Sequence, residues 1–166
     1  MKSLIVVVLF LAVIFAGALS TWSADALISN MAPDFTLRDM QGKEVALSSF
    51  KGKAVLLNFW ASWCPTCTAE MPAMNKLHKD HIGKGMVVVA VSTDKSQTAL
   101  SNYLARNQFD FIVLKDADSK AARQFKVFSI PMTFLLDKNG VIVKKYIGEE
   151  DWDSEEIKKD LRKALN

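Results

Sequence analysis

Two apolar runs, Ala54 to Trp60 and Met86 to Val91, do most to limit how this chain can fold. Both are too short for helices and rich in Val, Leu and aromatic side chains. Such runs fit strands covered on both faces of a sheet. Between them, Cys64 to about Ile82 has helical spacing: Met71, Met74, Leu77 and His78 share a face, and Gly83 and Gly85 end it. Strand, helix and strand in that order imply layers of helix on sheet.

The flanking segments extend the pattern. Residues 21 to 33 read as a short linker, and Phe35 to Leu37 with Glu44 to Leu47, around the turn at Gln41-Gly42, predict a small hairpin. Ser96 to Asn107 carries Leu100, Tyr103 and Leu104 at amphipathic helix spacing. Phe111 to Leu114 predicts a short strand, after which Asp118 can cap a helix holding Ala121, Ala122 and Phe125. Met132 to Leu136 and Val141 to Tyr146 flank Lys138-Asn139-Gly140, a hairpin signal. A last helix is expected from near Asp153, with Glu156 completing a capping box and Ile157, Leu161 and Leu165 as its buried stripe. The order is a β-hairpin followed by βαβαβαββα: an α/β sandwich around a central mixed sheet.

At 166 residues the chain fits one domain plus a targeting segment. A net charge of +3, with scattered basic residues, gives no footprint for nucleic acid. Lys2 precedes sixteen uncharged positions, Leu4 to Leu19, followed by small and polar residues. That pattern reads as an export signal, with Ala18/Ser20 or Ala24/Ala26 at the cleavage site. A retained single-span anchor is the alternative, although the stretch falls short of the roughly 20 residues a spanning helix wants. Residues 1–26 are thus a leader or anchor, 27–166 the folded domain, and a monomer is the default. Either leader delivers the domain outside the cytoplasm, where disulfide chemistry has substrates.

The only two cysteines stand together in Trp63-Cys64-Pro65-Thr66-Cys67, between the first run and the helix. A thiol in the first helical turn faces unpaired N–H groups and the positive dipole end, which stabilises its thiolate below the unperturbed value of ~8.5. Pro65 suits the first helical position, where its missing N–H costs nothing. Cys67, one turn further in, can attack a mixed disulfide at Cys64; Cys64 is then the nucleophile and Cys67 the resolving thiol. A purely structural bridge is the blander reading, but so small a loop contributes little chain entropy. A zinc site from Cys64, Cys67, His78 and His81 fails on reach, since eleven helical residues from Cys67 to His78 span about 16 Å. No metal and no cofactor beyond the cysteine pair is expected.

The segment Asn58 to Cys67 resembles the active site of the thioredoxin fold. More narrowly, Ala32-Pro33-Asp34-Phe35, the Gly42-Lys43 turn and Cys67-Thr68-Ala69-Glu70-Met71-Pro72 resemble exported thiol-disulfide reductases of the TlpA/ResA/CcmG type, over about residues 31 to 150. The resemblance implies a thioredoxin-like sandwich with an N-terminal hairpin extension and a βα insertion. It implies that Pro72 kinks the helix and that Ile130-Pro131 is a cis-proline loop opposite the cysteines. Such a loop would offer the Ile130 backbone to an extended substrate, with Trp63, Pro65, Thr66 and Pro131 completing the binding surface. Thioredoxins proper carry a buried Asp where this chain has Asn58, so that proton-handling role is vacant or has moved. Glu70 is where the TlpA/ResA branch places an active-site acid; its other reading is a solvated helix-face residue, partly exposed in either case.

The resemblance implies a thiol-disulfide oxidoreductase acting as a reductant in the bacterial cell envelope. It implies apocytochrome c as substrate during cytochrome c maturation, and a membrane thiol donor of the DsbD/CcdA type as partner. Two alternatives remain. A thiol peroxidase of the peroxiredoxin kind shares the hairpin layout, but its P-x-x-x-T-x-x-C context is missing before Cys64. A non-catalytic binding module would keep an inert disulfide.

Overall fold

The computed structural model describes residues 27–166; the expected leader or anchor lies outside the described residues. Seven strands form one sheet: β1 (Thr36–Asp39), β2 (Glu44–Ala46), β3 (Ala54–Trp60), β4 (Met86–Ser92), β5 (Ile112–Lys115), β6 (Met132–Leu136) and β7 (Ile142–Ile147). Their order is β2-β1-β5-β4-β3-β6-β7. β3, β4 and β5 run parallel, while β1, β6 and β7 pair antiparallel, so the sheet is mixed. Four helices join them: α1 (Pro65–His81), α2 (Gln97–Arg106), α3 (Lys120–Gln124) and α4 (Glu155–Leu165). The chain is a thioredoxin-like sandwich, with the β1–β2 hairpin added through β5.

All residues of β3 and β4 are buried, as strands covered on both sides must be. Strand alternation then sorts them. Val55, Leu57 and Phe59 face one core, with Phe125 packed against the rings of Phe35, Phe59 and Phe134. Leu56 and Trp60 face the other, against Met71, Met74 and Leu77 of α1 and Ile157 and Leu161 of α4. Asn58 falls on this second face by the same alternation and is fully buried. His78 is buried there too; burial pushes its imidazole down, and the neutral ring accepts from the Val88 N–H at 3.1 Å.

Two local expectations are corrected and a third is extended. The linker is already docked at its end: Ser29 N–H donates to Ile142 O at 2.8 Å, and Ala32 N–H to Gly140 O at 2.9 Å. Asp118 caps α3 as expected, accepting from Lys120 N–H at 3.3 Å, but the buried Asp116 carboxylate caps it as well, accepting from Ala121 and Ala122 N–H at 3.2 and 2.8 Å. α4 starts from Ser154 rather than Asp153, with Ser154 Oγ accepting from Ile157 N–H. Pro72 lies inside α1 as read from the sequence, on its exposed side.

Candidate active site

β3 delivers the chain to a tight turn, Ala61-Ser62-Trp63, that is fastened to the end of β4. Asp94, itself buried, accepts from Ser62 N–H at 2.8 Å, Ser62 O–H at 2.6 Å and Ser92 O–H at 2.7 Å. Thr93 N–H adds a bond to Trp60 O at 2.9 Å. The turn is therefore held by hydrogen bonds to a buried carboxylate, which are costly to leave unmade.

Cys64 follows as the N-cap of α1, and its Sγ accepts from Cys67 N–H at 3.3 Å. Pro65 takes the first helical position, as expected of a residue with no N–H to satisfy. The cysteines form a disulfide, with Cα atoms 5.3 Å apart. They are unequal: Cys64 retains 6% of its surface and Cys67 none. Thr66 Oγ1 lies 3.4 Å from Cys64 Sγ. Ile130 O approaches the same sulfur at 4.0 Å, a contact rather than a hydrogen bond, since the bridged sulfur carries no proton. The Ile130–Pro131 bond is cis. Every sequence-named site residue thus belongs to two segments, 63–70 and 130–131, that meet at Cys64. Trp63 (68% exposed), in the first segment, and Phe128 (70% exposed), two residues before the second, add uncovered aromatic surface.

Glu70 differs from the expectation of partial exposure: it is 4% exposed. Cys67, Glu70, Met71 and Met74 fall on one helical face, so the turn that buries the inner cysteine buries the acid as well. Its carboxylate accepts from Asn58 Nδ2–H at 3.2 Å and from Trp152 Nε1–H at 3.1 Å, with a third bond from the Glu150 backbone. Burial pushes the carboxyl up to about 7, against the pull of those three donors, and the charge of Glu149 pushes the same way as burial. Asn58 also donates to Thr133 Oγ1 at 2.9 Å, its partner directly across the β3–β6 ladder. The position vacated by a buried Asp is thus occupied by a donor to Glu70.

Trp152 and Thr133 escaped the sequence reading. Strand alternation could have found Thr133, which shares a face with Asn58; nothing local marks Trp152. Among the described residues, no group of three or more His, Cys, Asp or Glu side chains could hold a metal ion. The arrangement suits thiol-disulfide exchange: a cysteine at a helix N-terminus that keeps a little surface, a fully shielded partner, and a carboxyl group able to gain or lose a proton near neutrality.

Comparison with known proteins agrees with the geometry. The AhpC/TSA family model matches residues 28–145. The thiol-disulfide oxidoreductase ResA of Bacillus cereus is 38% identical over 123 residues, covering 74% of this chain and 71% of the relative. A Chlorobium tepidum protein assigned as thiol:disulfide interchange protein DsbE superposes with a TM-score of 0.79 at 34% identity, over 84% of this chain and 98% of that one. The pneumococcal exposed lipoprotein thioredoxin of Streptococcus pneumoniae gives a TM-score of 0.70 at 32% identity, over 79% of this chain and 99% of that one. The chain belongs to the AhpC/TSA family and, within it, to the thiol-disulfide oxidoreductases.

Proposed function

We propose that the protein is a reductant of protein disulfides on the outer side of the bacterial cytoplasmic membrane. The observation that carries this is the inequality of the pair. Cys64 meets the surface beside the Ile130 backbone, while Cys67 is sealed one turn from a buried carboxyl group. In the dithiol form the Cys64 thiolate attacks one sulfur of the substrate disulfide; a mixed disulfide forms and a substrate thiolate leaves. Cys67 passes its proton to Glu70 and attacks Cys64 Sγ, closing the intramolecular disulfide and releasing the second substrate thiolate. Two electrons have moved to the substrate, and its two thiolates take up protons. Trp63, Pro65, Thr66, Ile130 and Pro131 line the place where the substrate segment would lie. A membrane thiol donor of the DsbD/CcdA type then returns the pair to dithiol.

Support for the envelope location is the uncharged stretch Leu4 to Leu19 behind Lys2, and the exposed lipoprotein among the structural neighbours. The proposed substrate is apocytochrome c, before haem attachment, on resemblance to the TlpA/ResA/CcmG branch. Cys67→Ser cannot resolve a mixed disulfide, so it should accumulate covalent complexes through Cys64 that contain apocytochromes. Recovery of many unrelated envelope proteins without cytochromes rejects the dedicated role and leaves a general reductase. Cys64→Ser should abolish reduction of a model disulfide, and full activity in it ends the proposal. The second reading, a thiol peroxidase, is favoured by the β1–β2 hairpin layout and predicts peroxide-dependent turnover. None is expected.

A further inference from the structure

The segment after β7 touches both halves of the site. Gly148 N–H donates to Pro131 O at 2.9 Å, which fixes the start of the segment to the loop beside Cys64. Two residues on, the Glu150 backbone donates to the Glu70 carboxylate, and Trp152 then donates its indole N–H to Oε2 at 3.1 Å. We propose that Trp152 is a positioning residue that sets the proton affinity of Glu70, and that Gly148–Trp152 is a strap coupling this carboxyl group to the Ile130–Pro131 loop. The inference rests on the reading of Glu70 as the group that takes the Cys67 proton.

Three features support it. First, Trp152 is 2% exposed and cannot swing away, because Tyr146 packs edge-on against it at 5.5 Å and 73°. Tyr146 is fixed in turn, donating its phenol to Asp160 at 3.2 Å. Burial, with Asp160 beside it, pushes that phenol up and keeps it protonated. Second, the groups bonded to Glu70 are all donors: Asn58 Nδ2–H, Trp152 Nε1–H and Glu150 N–H. Such a shell fits the carboxylate and gives a proton on it no acceptor. Third, Trp152 is the indole donor in that shell, and losing it costs the charged form more than the neutral one.

Other groups facing this region are few. Glu149 acts on Glu70 from the strap itself, and Cys67 lies one turn before it on α1 and becomes titratable on reduction. Across the indole stand Tyr146 and Asp160. Next to Trp152, Asp153 is paired with Lys76 at 3.4 Å.

The test combines a spectroscopic and a kinetic readout on the reduced protein. The Trp152 indole N–H resonance, assigned by substituting Trp22, Trp60 and Trp63 in turn, should titrate with a midpoint near 7 in the wild type and be flat in Glu70→Gln. Trp152→Phe should move the midpoint of the pH–rate profile for disulfide reduction upward by about one pH unit, a tenfold tighter hold on the proton. Asn58 and Thr133 are left intact, so a merely structural loss would lower the rate without moving that midpoint. A flat Trp152 resonance in the wild type, or an unmoved midpoint in Trp152→Phe, overturns the proposal while a changed profile in Glu70→Gln keeps the Glu70 reading. An unchanged profile in Glu70→Gln removes both. Should Trp152→Phe not fold, the indole titration decides alone.

Discussion

Burial lifts the Glu70 carboxyl from 4.5 to about 7, so between those values the folded chain binds a proton there that the unfolded chain releases. This contribution to stability is present below pH 4.5 and is lost as pH rises through about 7. Glu70→Gln removes the ionisable group. Relative to that variant, the wild type should lose on the order of 2–3 kcal/mol between pH 4.5 and 8, read by urea unfolding at a series of pH values. Parallel stability curves would show a carboxyl with ordinary proton affinity. The chemistry of this residue was legible before its setting was. Glu70 sits three residues after Cys67 and four before Met74, which is the spacing of the buried face, yet an acid is expected to turn outward. What turns it inward is a set of donors from one strand and a loop, of which Asn58 is 12 and Trp152 is 82 residues away. Short-range pattern carries no trace of such partners.

Elements were legible where burial alone decides them. β3 and β6 occupy the residues expected, Ala54–Trp60 and Met132–Leu136, because a run without charged side chains, apolar but for Asn58 and Thr133, leaves little choice of boundary. Helix starts were less so, since Asp116-Ala117-Asp118-Ser119 and Asp151-Trp152-Asp153-Ser154 each offer three capping side chains, and the fold selects among them. The joint between β3 and α1 depends on such a selection. Asp94 accepts three hydrogen bonds there from Ser62 and Ser92. Asp94→Ala strands the buried Ser92 hydroxyl and the two half-buried Ser62 donors and should cost about 2–4 kcal/mol in chemical denaturation. Reduction of a model disulfide should slow with it, because the turn that aims Cys64 loses its fastening to β4. Unaltered stability would mean that water replaces the carboxylate at no cost.

For the whole molecule, the disulfide and the fold are nearly independent. The bridge closes a loop with a sequence separation of only three, and both cysteines are held by the N-terminal turn of a helix whose other contacts lie in the core. Reducing it should therefore shift the unfolding free energy by about 2 kcal/mol or less, measured by denaturant titration with and without a dithiol. A larger loss would assign the bridge a structural role. The same cannot be said of the bond between Trp152 and Glu70, which spans 82 residues of chain. Ribosomes release the cysteine pair long before the tryptophan. Every growing chain therefore passes through a period in which its thiols are made and the acid beside them stands unclothed in water, at an ordinary carboxylic strength. Only when the later segment through Trp152 has closed over it is that acid buried and balanced at neutral pH, so the reactive centre matures well after its cysteines are made.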